Sequence, residues 1–152
     1  MAEEAQPNQA PTVPPQPPYP LAIIMCDMIY VDPATGKRTI LGVFAAYRSK
    51  VFPFKIPHMM VYAAFTDGRG LVPIQFKFVK LDPENPGQDI DILSATTEVK
   101  FDDPLAVVDV PFGTLNLDIP SPGEYRFQIY ACDQFVIERR PLIVDDSEGM
   151  QQ

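Results

Sequence analysis

Through most of this chain, apolar and polar residues alternate with a period of two. Ile74, Phe76 and Phe78 alternate with Gln75 and Lys77, and Tyr125, Phe127 and Ile129 with Arg126 and Gln128. Ile90 and Ile92 flank Asp91, and Ala106, Val108, Val110 and Phe112 share one parity with Asp109 on the other. Leu115, Leu117 and Ile119 alternate with Asn116 and Asp118. Successive side chains of a strand point to opposite faces of a sheet, so each run reads as a half-buried strand. A helix needs an apolar stripe at i, i+3, i+4 and i+7 between caps, and no uninterrupted stretch offers one.

Turn chemistry separates the runs. Asp32-Pro33-Ala34-Thr35-Gly36-Lys37 is expected to join the first two strands, and Asp67-Gly68-Arg69-Gly70 a central pair. Asp82 to Gly87 reads as a longer loop, and Pro120-Ser121-Pro122-Gly123 as a tight turn before Glu124. Glycine supplies positive φ, proline presets φ, and aspartate bonds its own backbone. Turn signals at this spacing predict an all-β fold, a two-layer antiparallel sandwich, immunoglobulin-like or related, of about eight or nine strands. Pro141 cannot donate a ladder bond, which places it at an edge or a bulge. Tyr125 follows a tight turn, as a tyrosine in a tyrosine corner does; it reads equally well as a plain core residue.

The ends have a different composition. Residues 1–20 interleave seven prolines, from Pro7 to Pro20, with Gln, Asn, Ala and Thr. Such a stretch buries too little apolar surface to offset chain entropy, so a disordered proline-rich tail is expected. The spacings Pro11 to Pro14 and Pro15 to Pro18 would suit a polyproline-binding domain; a flexible leader is the simpler reading. The domain is then expected over 21–144, with a frayed end over 145–152.

A formal net charge of −8 and the lack of a Lys/Arg stripe argue against nucleic acid and against anionic membrane surfaces as partners. The apolar run from Leu21 to Val31 is interrupted by Asp27 and falls short of the roughly 20 residues a membrane helix needs. Glu3 and Glu4 precede no apolar core, so no secretory signal is read and a cytoplasmic location is expected. Cys26 and Cys132 are then expected as free thiols, with a disulfide between an early and a late strand as the alternative.

Chemistry is sparse. His58 is the one histidine, so histidine metal clusters and dyads are unavailable within a chain. None of the serines lies in G-x-S-x-G, and Thr35-Gly36-Lys37 lacks the preceding glycine of a phosphate-binding loop. No enzyme, cofactor or resident metal is expected. Asp32, Asp67, Asp82, Asp102, Asp103 and Asp133 fall in loops. Turn formation explains them, and convergence on calcium at one end of the sandwich is the alternative.

The segments Cys26-Asp27-Met28-Ile29, Thr35 to Phe44 (TGKRTILGVF), Phe52-Pro53-Phe54 and Pro122 to Phe127 (PGEYRF) together resemble an uncharacterised bacterial domain-of-unknown-function family of small β-proteins. The resemblance spans about residues 21–144. It implies a compact β-sandwich and carries no activity and no catalytic residues.

Two runs break the simple pattern. Leu21 to Cys26 and Met59 to Phe65 are apolar on both parities. A sandwich strand should have one wet face, so something must cover the second: a loop, the tail or another molecule. Val51 to Pro57 reads as a packed crossover or an exposed binding loop. These features point to a non-enzymatic interaction or scaffold module, binding a protein partner or a second copy. Ile24, Phe52, Phe54, Met60 and Tyr62 are the interface candidates. A loop-end calcium or small-ligand domain is the alternative function.

Overall fold

The computed structural model describes residues 13–148. Eleven strands follow one another: β1 (Tyr19–Cys26), β2 (Met28–Val31), β3 (Arg38–Leu41), β4 (Ala46–Ser49), β5 (Phe54–Thr66), β6 (Gly70–Lys80), β7 (Ile90–Phe101), β8 (Val108–Ile119), β9 (Gly123–Ala131), β10 (Gln134–Arg139) and β11 (Leu142–Asp145). The fold is all-β, with no helix among the described residues. One sheet has the order β1-β5-β8 and a second the order β4-β11-β9-β6-β7, with β10 also paired to β9. A two-stranded ribbon, β2-β3, stands apart from both. Pairing is antiparallel except between β4 and β11.

The alternating runs meet between the two larger sheets. Phe65, Phe76, Phe78, Tyr125 and Phe127 are fully buried there, each contributing about 1.5–3 kcal/mol of hydrophobic stabilisation. Phe76 stacks on Phe112 with centroids 4.6 Å apart, and Phe78 on Tyr125 at 5.4 Å. The Tyr125 hydroxyl also donates to the Ser121 carbonyl at 2.5 Å. Both readings of this tyrosine therefore hold: its ring is core, and its polar tip ties down the turn that reverses the chain.

Several expectations need correction. Asp67 to Arg69 does not close a hairpin, because β5 and β6 lie in different sheets. Leu115 is not a core partner of Leu117: it is 74% exposed, whereas Leu117 is 5% exposed. Asn116 has φ of 51°, a left-handed residue that resets which side of β8 faces inward. The inward parity is Val110 and Thr114 before it, Leu117 and Ile119 after it. Paired β5 changes face at the same level, with Ile56 and Met59 buried and Pro57 and His58 between them exposed. Pro141 falls in the gap between β10 and β11 rather than inside a strand.

The tail boundary also moves. Residues 1–12 of the expected tail and 149–152 of the expected frayed end lie outside the described residues. Within them, β1 starts at Tyr19, Pro18 is buried, and Gln16 N–H donates to Arg69 O at 3.1 Å. Pro15 to Pro18 is thus not a free polyproline ligand, since the domain already holds its last residue.

Candidate interaction surface

Over the outer face of β5, and reaching β8, lies the β2-β3 ribbon. In β1 and β5, Ile23, Met25, Val61, Ala63 and Phe65 point into the core. Their neighbours Ile24, Cys26, Met60, Tyr62 and Ala64 form the opposite face. The ribbon folds back along that face. Asp27 starts the reversal: its N–H donates to the carbonyls of Leu41 at 3.0 Å and Gly42 at 3.1 Å. Gly42 has φ of 68°, and any Cβ there would collide with the Asp27 side chain. His58 Nδ1–H donates to the Asp27 carbonyl at 2.7 Å, joining the base of the ribbon to β5.

At the other end, Asp32 and Gly36 close the ribbon turn. Gly36 N–H reaches Asp32 O at 2.8 Å, and Asp32 Oδ1 caps Ala34 N–H at 2.8 Å. Two residues on from Gly36, Arg38 forms an ion pair with Asp109 on β8. The Tyr62 hydroxyl donates to the other Asp109 oxygen at 2.7 Å. That bond to a carboxylate, then burial, holds the Tyr62 phenol above the usual tyrosine range. The three side chains pin the ribbon across β5 and β8. Ile29 and Ile40, directly opposed in the ribbon, are half-buried. The other face of the ribbon carries Met28, Tyr30 and Leu41, which are 49%, 53% and 43% exposed.

The residues singled out from sequence are therefore distributed as follows. Ile24, Met60 and Tyr62 are half-buried on the face the ribbon lies along. Phe52 and Phe54 are half-buried and pack on the core; their rings meet edge to face at 5.3 Å, and Phe54 stacks on Tyr47 at 5.6 Å. Val51 to Pro57 is therefore not one crossover: Phe54 to Pro57 already belong to β5, and Val51 is 67% exposed. Met28, Tyr30 and Leu41 were missed, because Met28 to Val31 reads as the tail of the first apolar run. The usable signal was Asp27 within that run, followed by the Asp32 to Lys37 turn and Gly42.

Cys26 and Cys132 are both free, which removes the disulfide alternative. Cys26 is fully buried at the ribbon base, and burial, then the adjacent Asp27, pushes its thiol up. The loop aspartates have local roles. Asp82 accepts from Asn85 Nδ2 and Glu84 N–H, which draws its carboxyl down. Asp103 caps Leu105 N–H, Asp102 pairs with Lys100, and Asp67 and Asp133 take left-handed backbone. Among the described residues, no three His, Cys, Asp or Glu side chains gather as a metal site. No helix of the described residues is long and apolar enough to cross a membrane.

A family model described as a family of unknown function (DUF6941) matches residues 21–145. No curated protein matches. Among solved structures, the chain is similar to a Pseudomonas fluorescens alkylpurine DNA glycosylase AlkC bound to DNA containing an abasic site analog. That likeness has 8% identity and a TM-score of 0.41, over 80% of this chain and 30% of that one.

Proposed function

The chain belongs to the DUF6941 family, and from its own surface we propose a non-enzymatic protein-interaction module built on an immunoglobulin-like or related sandwich. The observation that carries the reading is the ribbon. It spends one face against β5 and β8, and its other face presents Met28, Tyr30 and Leu41, with Val43 59% exposed just beyond. A short ribbon with large apolar groups on its wet side is a costly surface unless a partner covers it. Tyrosine and methionine are also residue types enriched at protein interfaces. An acidic chain lacking a basic stripe fits a protein partner better than a nucleic acid.

The test uses the double substitution Tyr30→Lys and Leu41→Lys. Both side chains sit on the wet face, so the melting temperature should hold. Light scattering and co-purification from the native cell should show an assembly with the wild-type chain that the variant loses. A wild-type chain that stays monomeric, and captures nothing dependent on these two residues, overturns the reading.

A second reading is small-ligand binding at the loop end. A cleft of about 600 Å³ lies between the Asp82 to Asp89 loop and the Pro122 to Glu124 turn, lined in part by Lys80 and Arg126, within the usual size of a ligand pocket. Thermal shift against a panel of small metabolites tests it; no stabilisation by any of them counts against it.

A further inference from the structure

We propose that the exposed edge of β7 is a second, independent docking site, which takes an extended peptide segment of a partner protein as an added antiparallel strand. The sandwich is open on this side. β7 ends one sheet and β8 ends the other, and a cleft of about 350 Å³ separates them. The two edges differ in what they offer. β8 is blunted: Pro111 has no N–H, and Asn116 bends the strand through a left-handed residue. β7 has neither glycine nor proline from Ile90 to Phe101. Its register against β6 is irregular only near its start, opposite Phe78 and Val79. From Leu93 to Phe101 it is a regular strand with a row of backbone N–H and C=O groups that have no neighbouring strand among the described residues, the template for strand addition.

The surroundings specify the peptide. Val99 of β7, Phe76 of β6, and Val110 and Phe112 of β8 line the cleft together with Thr97 and Asp109, so alternate side chains of an added strand would enter a slot that is largely apolar and carries one acidic group. The intervening side chains would lie on the outer face of β7 beside Glu98, which makes no ion pair among the described residues, and Lys100, whose charge is answered by Asp102. With a chain of net charge −8, the complementary segment carries Lys or Arg at those positions. The segment is thus extended, apolar on one parity and basic on the other. The ribbon's own residues do not line the cleft, although Asp109, which anchors the ribbon, does; the pair Tyr30→Lys with Leu41→Lys and the single Glu98→Lys touch separate surfaces, so either proposal can fail alone.

The experiment uses the full chain and a fluorescein-labelled nonapeptide of alternating valine and lysine. Anisotropy should show saturable binding below about 1 mM. Amide exchange should slow within 93–101, at alternate residues only. The same peptide with alternate amides N-methylated keeps its charge and apolar groups but cannot complete the ladder; it should bind at least about tenfold more weakly. Glu98→Lys, an exposed substitution that should leave melting unchanged, should weaken the parent peptide by about threefold to tenfold. Equal binding of the N-methylated peptide would reduce the effect to charge attraction and overturn the proposal. So would an unchanged affinity in Glu98→Lys. Outward β7 amides already protected in the free chain would mean that its own terminus or a second copy occupies the edge, and would also overturn it.

Discussion

Tyr125 was identifiable from Pro122-Gly123-Glu124 before it, because a tyrosine just inside a strand after a tight turn can reach back to the turn backbone. Removing only its hydroxyl, as Tyr125→Phe, should cost about 1 kcal/mol, read as a shift of the urea midpoint at unchanged slope. An unchanged midpoint would mean the 2.5 Å bond to Ser121 adds nothing beyond the ring. Tyr62 and Asp109 were separately readable as an outer-face residue and a polar parity residue, but their bond was not. Tyr62 has a folded pKa above its ordinary value. The folded state therefore holds its proton more tightly, and the resulting stability is complete below the ordinary tyrosine range, about pH 10. It is lost as pH rises through the folded pKa. Denaturant melts above that pH should thus show the wild type losing stability faster than Tyr62→Phe. Parallel curves would show that the phenol does not couple to folding.

At the scale of elements, the period-two pattern located most strands, since β6 alternates from Val72 to Phe78 and β9 buries Tyr125, Phe127, Ile129 and Ala131 on one parity. It failed within β8, where one left-handed residue reverses the inward side. Alternation is a local rule and assumes that each residue turns the next by the same amount; Asn116 does not. Leu117→Ala should therefore cost about 2–5 kcal/mol, as a buried leucine does. Leu115→Ala should stay within about 0.5 kcal/mol, as an exposed substitution does. Comparable losses from both would show that β8 keeps a single inward parity through Asn116. Of the β9-β10 hairpin, the sequence places Asp133 in a loop but offers no tight-turn signal. Its two-residue turn, Cys132-Asp133, has φ of 50° and 60°, a geometry that usually advertises itself through glycine or asparagine.

For the whole molecule, the ribbon decides how the candidate surface is arranged. Its docking depends on Asp109, which receives both Arg38 and Tyr62, and Cys26 beneath its base reports on that docking. Asp109→Ala should raise the rate at which a thiol reagent labels Cys26 in the native protein by about tenfold, through easier local opening. Cys132 labelling should be unaffected, and a Cys26 rate equal to that of the wild type would show that the ribbon is held by its base alone. The chain order of apolar and polar residues was sufficient, by itself, to determine an all-β domain, its turns and the bulk of its core, because burial of alternate side chains is a local property of each strand. It also showed that β1 and β5 need a second cover. Which segment supplies that cover, which way β8 faces after Asn116, and which sheet edge stays open were decided only by tertiary structure. Each depends on groups far apart in sequence meeting across space: Arg38 with Asp109, Asp27 with His58, and β7 facing β8 across a cleft.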